Sequence, residues 1–326
     1  MDTDSDWAFP GELQPQAAGL GYDLDAALSA AVLLRVDVAE DAFTAGVLGT
    51  ERIGNGIAIR HDDRELVLTI GYLVTEAETI WLTTHDGRAV PGHALACDFE
   101  SGIGLVQPLG RLGVPTLKCA NAATLTVGSA VTVIGHGGAA HSLQARVIAR
   151  REFAGYWEYL IDAAIFTAPP HPLWGGTALL DEKGCVVGIG SLLTQAMHDD
   201  ETFDANMYVP ADLLLPILGD LVRCGRRPGL ARPWLGLYLG ERGGHIVVAE
   251  TAPGGPAQRA GLRPGDLLLE VAGHKVDTLA ECFRAVWASG AAGVEIPVTL
   301  VRNRSRHRLQ LQSIDREALL KQPARH

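Results

Sequence analysis

Between residues 32 and 189 the chain repeats one pattern: short runs rich in Val, Ile, Leu and Thr, each cut off by Gly, Asp or Asn. The runs are Val32–Val38, Gly54–Arg60, Glu65–Ile70, Thr79–Thr84, Gly104–Gln107, Ala130–Ile134, Leu143–Arg150, Tyr159–Ile161 and Val186–Ile189. None is long enough for a packed helix, and turns such as Asp86-Gly87 and Lys183-Gly184 separate them. That spacing predicts an all-β barrel or sandwich assembly. Two segments depart from it. Asp23–Leu34 reads as a short helix opened by Asp23 or Asp25, and Pro210–Leu221 as a helix with Leu213, Leu214, Ile217 and Leu221 on one face.

With 326 residues the chain has room for two domains. The stretch Cys224–Pro233, rich in Gly, Pro and Arg, is the natural linker. The expected division is an arm over 1–24, a β-rich domain over 25–222, a linker over 223–232, a second domain over 233–313 and a tail over 314–326. In the second domain Gly244–Ala249 and Asp266–Val271 read as strands, and Pro256–Ala260 and Leu279–Ser289 as helices. Val294–Val301 and His307–Gln312 read as a closing hairpin, with Arg302, Arg304, Arg306 and Arg308 on a solvated face.

The net charge of −11 argues against nonspecific nucleic-acid binding. It is unevenly spread. Residues 1–231 carry 14 basic and 29 acidic side chains, and residues 232–326 carry 13 and 9, so the basic second domain suits either acidic peptide ends or docking on its own acidic neighbour, which would close the groove. Five scattered cysteines show no CxxC pair, which fits free thiols. The acidic start, Met1 to Asp6, lacks a basic and apolar leader, and Ala26–Leu34 is too short to span a bilayer. The expectation is a cytoplasmic protein with no membrane span and no cofactor.

The most specific string is Ala252-Pro253-Gly254-Gly255-Pro256-Ala257-Gln258-Arg259-Ala260-Gly261-Leu262-Arg263-Pro264-Gly265-Asp266. Pro256 suits a first helical position, Gly261 a left-handed helix end, and Pro264-Gly265-Asp266 a tight turn into a strand. The string resembles the PDZ domain of HtrA-type (DegP-like) serine proteases, and the match covers nearly all of 232–312. The resemblance implies a carboxylate-binding loop at Trp234-Leu235-Gly236-Leu237, where Gly lets backbone N–H groups turn toward a peptide C-terminus. Phe283, Val286 and Trp287 on the following helix would form the other wall. The alternative is that these apolar residues only pack the fold.

The β-rich domain resembles the chymotrypsin-like (trypsin-like) double β-barrel of the same family. The framing segments include Gly54-Asn55-Gly56-Ile57, Val67-Leu68-Thr69, Thr126-Val127-Gly128, Val133-Ile134-Gly135 and Ile161-Asp162-Ala163-Ala164-Ile165. The resemblance also exposes three departures. Tyr72 stands where the family's His is expected, and a phenol is a poor general base at neutral pH. Gly102 holds the place of the Asp, with Asp98 and Glu100 nearby. In Pro172-Leu173-Trp174-Gly175-Gly176-Thr177, either Gly175 or Trp174 holds the place of the nucleophilic Ser. The resemblance therefore implies a pseudoprotease that binds peptide or protein C-termini. It also implies a homotrimer, or a hetero-oligomer with an active HtrA paralogue, in which Trp7, Phe9 and Tyr22 of the arm would make contacts.

Two other readings start from the residues themselves. Thr177 or Ser191 with His136, His141 or His171 could form a rebuilt hydrolytic site, though no carboxylate presents itself to orient the imidazole. The same histidines, or His198 with Asp199 and Asp200, could hold a metal, although no helical HExxH spacing is present. The simpler assignment is surface loops, with Met197–Glu201 as a solvated acidic loop.

Overall fold

The structure, a computed structural model, describes residues 7–198 and 201–321. It separates into two compact units. One holds the residues up to Arg151 together with Ala163–Arg227; the other holds Glu152–Asp162 together with Pro228–Lys321.

The first unit is built on two closed six-stranded barrels. The first barrel comprises β1 (Ala31–Val38), β2 (Glu51–His61), β3 (Arg64–Ile70), β4 (Ala77–Thr83), β5 (Ala89–Asp98) and β6 (Ile103–Pro108), in the order β1-β2-β3-β6-β5-β4. Its register sets apolar residues opposite one another. Ile57 lies opposite Leu68 and Ile59 opposite Leu66; Leu68 lies opposite Leu105 and Ile70 opposite Ile103. All of these are buried, each worth roughly 1.5–3 kcal/mol of transfer free energy. The second barrel comprises β7 (Ala130–Ile134), β8 (Leu143–Gly155), β9 (Tyr159–Ala168), β10 (Ala178–Leu180), β11 (Val186–His198) and β12 (Glu201–Pro210), in the order β10-β11-β12-β9-β8-β7, with the parts of β8 and β9 that fall within 152–162 belonging to the second unit. Val131, Val133, Leu143, Ile165, Leu179, Val187 and Tyr208 form its core.

Several local expectations change. The first helix spans only Leu24–Ser29, with the Asp23 carboxylate accepting from the Ala26 N–H at 3.0 Å. Beyond it Val32, Leu34 and Val36 alternate inward, so a period of two wins over helix. The expected helix Pro210–Leu221 is a 3-10 turn, Ala211–Leu213, followed by a helix at Leu218–Cys224; Pro216 between them removes a backbone donor. Strand β5 was not expected, because Pro91, Gly92 and three Ala hide its alternation. The acidic loop expected at Met197–Glu201 is instead the end of a β-ladder that reaches His198 opposite Glu201; Asp199 and Asp200 lie outside the described residues. The arm is not extended. Phe9 N–H donates to the Ala140 carbonyl at 2.9 Å, and Gln144 N–H to the Leu13 carbonyl at 2.7 Å. Trp7 and Phe9 pack edge-on against His171, and the Tyr22 hydroxyl donates to Thr132 at 2.8 Å. The three aromatics expected to make oligomer contacts are thus engaged within the chain.

The second unit is a sheet of β13 (Leu237–Arg242), β14 (His245–Thr251), β15 (Leu267–Val271), β17 (Glu295–Arg302) and β18 (Ser305–Gln312), in that order, with β16 (His274–Lys275) paired to β15. The helix Leu279–Ala288 opens with a capping box in which Thr278 and Glu281 satisfy each other's backbone donors. It buries Leu279, Cys282, Phe283 and Val286 on one face. Gly261 takes φ +85° after the short helix Pro256–Arg259. Arg302 does not stay in solvent: it pairs with both oxygens of the buried Asp266 at 2.7 and 2.6 Å. Within the segment expected to be a tail, Ile314 pairs with Trp234 through N–H bonds of 3.0 and 3.1 Å.

Candidate functional site

Tyr72, Gly102 and Gly175 come from distant parts of the sequence and meet between the barrels of the first unit. Tyr72 lies on the helical turn Gly71–Val74. The buried Arg52 guanidinium fixes that turn by donating to the carbonyls of Tyr72 and Thr75, both at 2.8 Å. Gly102 takes φ +79°, and its carbonyl accepts from the Gly71 N–H at 2.6 Å. Gly175 faces the Tyr72 ring: a β-carbon there would lie 2.7 Å from the phenol oxygen. Both candidates for the nucleophile's place lie beside Tyr72, Gly175 through its backbone and Trp174 through a side-chain hydrogen bond to the phenol. The Tyr72 hydroxyl donates to the Ser191 carbonyl at 3.0 Å. Burial pushes this phenol well above its ordinary range, and a hydrogen bond from Trp174 offsets part of the rise. It cannot take a proton from a nucleophile near neutral pH.

The carboxylate four residues before Gly102, that of Asp98, is committed elsewhere. Asp98 accepts from Ser101 and from Arg227, whose Nε and Nη2 approach at 3.0 and 2.8 Å. Burial works against its charge, but Arg227 and Ser101 prevail and hold Asp98 below the usual carboxylate range. Arg227 also reaches Glu100 at 3.1 Å.

The loop before Gly175 is turned so that its polar groups serve the fold. The Gly175 carbonyl accepts from the Asn55 N–H at 2.7 Å, and the Leu173 carbonyl from the Asn55 side-chain amide at 2.8 Å. The Leu173 N–H, two residues before Gly175, donates to His171 Nδ1 at 3.0 Å. His171 Nε2 lies 2.9 Å from the His141 carbonyl, so the ring is neutral with its proton on Nε2. Burial pushes His171 down to about 4. An oxyanion site would need the Leu173 donor pointing outward; His171 holds it.

Each of the substitute groups is engaged in the fold. Thr177 is fully buried, and its hydroxyl donates to the Trp174 carbonyl at 2.8 Å. Ser191 is buried and offers its carbonyl to Tyr72. His136 Nε2 lies 3.3 Å from the Thr84 carbonyl. Among the described residues no group of three or more His, Cys, Asp or Glu gathers as a metal site.

The second site is the loop Trp234–Leu237. Gly236 takes φ +75°, and a β-carbon on it would lie 3.0 Å from Ala252 and 3.1 Å from the Trp234 ring. The carbonyls of Leu235 and Gly236 are tied to the N–H groups of Ala257 and Ala252, each at 2.8 Å. That leaves the N–H groups of the loop converging on one point, a nest for an anion. The carboxylate of Glu158 occupies it. It accepts from the Leu237 N–H at 2.8 Å and from the Leu235 N–H at 3.1 Å, with the Gly236 N–H also contributing. Glu158 is 5% exposed, and burial raises its carboxyl to about 7 against the pull of these donors and of Arg316. Of the expected wall, Phe283 and Val286 lie in the hydrophobic core that also takes in Leu160. Trp287 is half-buried beneath the Arg232 guanidinium, 4.6 Å from its ring centre.

Glu158 was not foreseen. One signal could have found it: in a chain that is 6% aromatic, four aromatics fall within residues 153–159, two of them flanking Glu158.

Comparison with known proteins places both sites in context. The trypsin-like peptidase domain model matches residues 54–189, and the PDZ domain model matches residues 247–302. A periplasmic DegP-like serine endoprotease of Halomonas elongata is 23% identical over 264 residues, covering 77% of this chain and 54% of its own length. The serine endoprotease DegS of Escherichia coli K12 is 25% identical over 279 residues, covering 79% of this chain and 76% of its own. The chain spans little more than half the length of the first curated relatives it matches, 54% and 59%. Among solved structures, the serine endoprotease from Yersinia pestis superposes with a TM-score of 0.53 at 21% identity, over 90% of this chain and 98% of that one. The HtrA-type protease AlgW with a decapeptide superposes with a TM-score of 0.52 at 18% identity, over 93% of this chain and 100% of that one.

The expectation of a cytoplasmic protein is overturned. Relatives from Halomonas elongata, Haemophilus influenzae and Ectopseudomonas mendocina are named as periplasmic proteins, which points to the periplasm instead. Scattered thiols and a start without an apolar leader carried that expectation, and neither fixes a compartment. No helix among the described residues is long and apolar enough to cross a membrane.

Proposed function

We propose that this chain, which belongs to the HtrA family of trypsin-like peptidase domains joined to a PDZ domain, acts as a peptide- or protein-binding adaptor and not as a protease. The relatives are named serine endoproteases. The observation that carries the departure from them is the Tyr72 phenol lodged against Gly175. A serine protease needs a hydroxyl nucleophile there and an imidazole beside it. Here the first position has no side chain, and the second holds a phenol that keeps its proton.

The binding half rests on the nest at Leu235–Leu237 and on the strand β13 that follows it. An extended peptide can add to the edge of β13 while its terminal carboxylate enters the nest. The structural neighbour AlgW was solved with a decapeptide, the ligand class this geometry suits. The partners on this reading are peptide or protein C-termini.

The test has two arms. Purified protein is expected neither to turn over unfolded casein nor to take a covalent label from a fluorophosphonate probe. It is expected to bind, saturably, a peptide with an apolar free C-terminus, and Gly236→Val is expected to abolish that binding. Casein turnover that survives removal of contaminating proteases, or the absence of saturable binding, would overturn the reading.

A further inference from the structure

The nest contains an occupant from this chain. The segment Glu152–Asp162 belongs to the second unit, and its middle lies along β13 as a short ligand would. In a strand, the N–H groups of alternate residues point the same way. The Leu237 N–H meets the Glu158 carboxylate at 2.8 Å. The next N–H on that side, from Leu239, meets the Tyr156 carbonyl at 2.8 Å. A carboxylate in the nest, with a carbonyl two residues earlier on the strand edge, is the pairing an added peptide strand makes. The Glu158 side chain stands in for a chain terminus.

The opposite wall grips the same segment. Arg284, on the helix Leu279–Ala288, pairs with both Glu152 and Asp162, one on each side of the turn. Leu160 joins the hydrophobic core with Phe283 and Val286. Trp157 stacks on Tyr159 at 5.5 Å, and Tyr156 lies 6.2 Å from Tyr238 of β13. Glu158 itself sits at φ +58°, a left-handed conformation unfavourable for a residue with a β-carbon. The backbone holds that conformation while the carboxylate is placed in the nest.

We propose that Tyr156-Trp157-Glu158 is a built-in ligand of the carboxylate nest, so that a free peptide C-terminus binds only by displacing it. The proposal rests on the reading that this module binds carboxylate-ended peptides. It makes the ligand an extended segment that ends in a carboxylate, with Tyr156 marking where an aromatic side chain rests beside Tyr238. It also makes the docked segment a competitor: if it occupies the nest nine-tenths of the time or more, apparent affinity for an outside peptide falls about tenfold or more.

The experiment compares the full chain with Glu158→Ala and Glu158→Gln by two measurements. The first is fluorescence anisotropy with a labelled decapeptide that has an apolar C-terminal residue, as the free acid and as the amide. Glu158→Ala is expected to bind the free acid about tenfold more tightly than the unaltered chain, and to discriminate against the amide. The second is amide hydrogen exchange at Leu235, Leu237 and Leu239 without peptide. Leu235 and Leu237 are expected to exchange at least about tenfold faster in Glu158→Ala, with Glu158→Gln in between and the β17–β18 amides unchanged. Faster exchange at the nest without peptide binding by any variant supports the built-in ligand and overturns the adaptor reading. Unchanged exchange at Leu235 and Leu237, or equal peptide affinity in the unaltered chain and Glu158→Ala, overturns the built-in ligand.

Discussion

The Tyr72 phenol oxygen stands 2.7 Å from the place a β-carbon on Gly175 would take, while its hydroxyl donates to the Ser191 carbonyl at 3.0 Å. Tyrosine and glycine at these two positions are therefore a matched pair: the ring fills space that only a residue without a side chain leaves open. Gly175→Ser alone is expected to lower stability by roughly 1–3 kcal/mol through overpacking and to remain unlabelled by a fluorophosphonate. Thermal melts of Gly175→Ser and of Tyr72→His/Gly175→Ser check the pairing. The double change should recover stability relative to the single one and still not label, because Asp98 is held by Arg227 and the Leu173 N–H by His171. Labelling of either variant would contradict the assignment.

Arg227 is the main counter-charge of Asp98, whose side chain is 3% exposed. Arg227→Ala would leave a buried carboxylate with its Ser101 hydrogen bonds but without this counter-charge. The expected loss is on the order of 3 kcal/mol, at the low end for a broken buried pair because Arg227 is partly exposed. Urea denaturation measures it, and Asp98→Asn in the same background should restore part of the loss. Additive losses in the double variant would mean that the pair does not matter.

His171 carries a pH dependence of definite sign. Its ordinary value near 6.5 falls to about 4 in the folded chain, so the unfolded chain takes up a proton first as the medium turns acid. Its contribution is complete above about 6.5 and is lost as pH falls through about 4, a change of roughly 3 kcal/mol at most. Chemical denaturation of the unaltered chain and of His171→Gln between pH 7 and 4 should differ in slope over that window. Parallel curves would remove His171 from the account.

Glu158 gives the opposite sign. Burial raises its carboxyl from the ordinary range to about 7 when docked, so docking takes up a proton between those values. Docking is strongest below about 4.5, weakens as pH climbs toward about 7, and is level above it. Three groups face the carboxyl from the packed elements: Arg316 opposes the rise, and the Cys282 thiol and Tyr238 phenol, both raised chiefly by burial, keep their protons in this range. Hydrogen exchange at Leu237, corrected for the intrinsic pH dependence, should accelerate from pH 5 to pH 7 in the unaltered chain and not in Glu158→Gln. Acceleration in both would assign the effect elsewhere.

Much of the fold was legible because it follows patterns of period two. The alternation in Val32–Val38 and the turn at Lys183-Gly184 mark strand and loop without any knowledge of partners. What escaped has the opposite character. β5 carries Pro91 and Gly92, so its place is set by its neighbours β4 and β6 and not by its own residues. The convergence of Tyr72, Gly102 and Gly175 is legible only through the resemblance to a protease family. The direction of the loop before Gly175 is not legible, since a hydrogen bond from Leu173 N–H to His171 leaves no trace in composition. Glu158 escaped because a glutamate in a turn reads as solvated; only the tertiary structure brings it under the donors of Leu235 and Leu237.

The second compact unit is not contiguous in the sequence: Glu152–Asp162 precedes Pro228–Lys321 by more than sixty residues. A protein fragment beginning at Pro228 would therefore be an amputated version of that unit. It would lack Leu160 from its core and both acidic partners of Arg284, and its nest would stand open. Affinities measured on such a fragment would describe a receptor with its plug removed. A peptide library panned against it would return sequences that the intact chain binds far less readily.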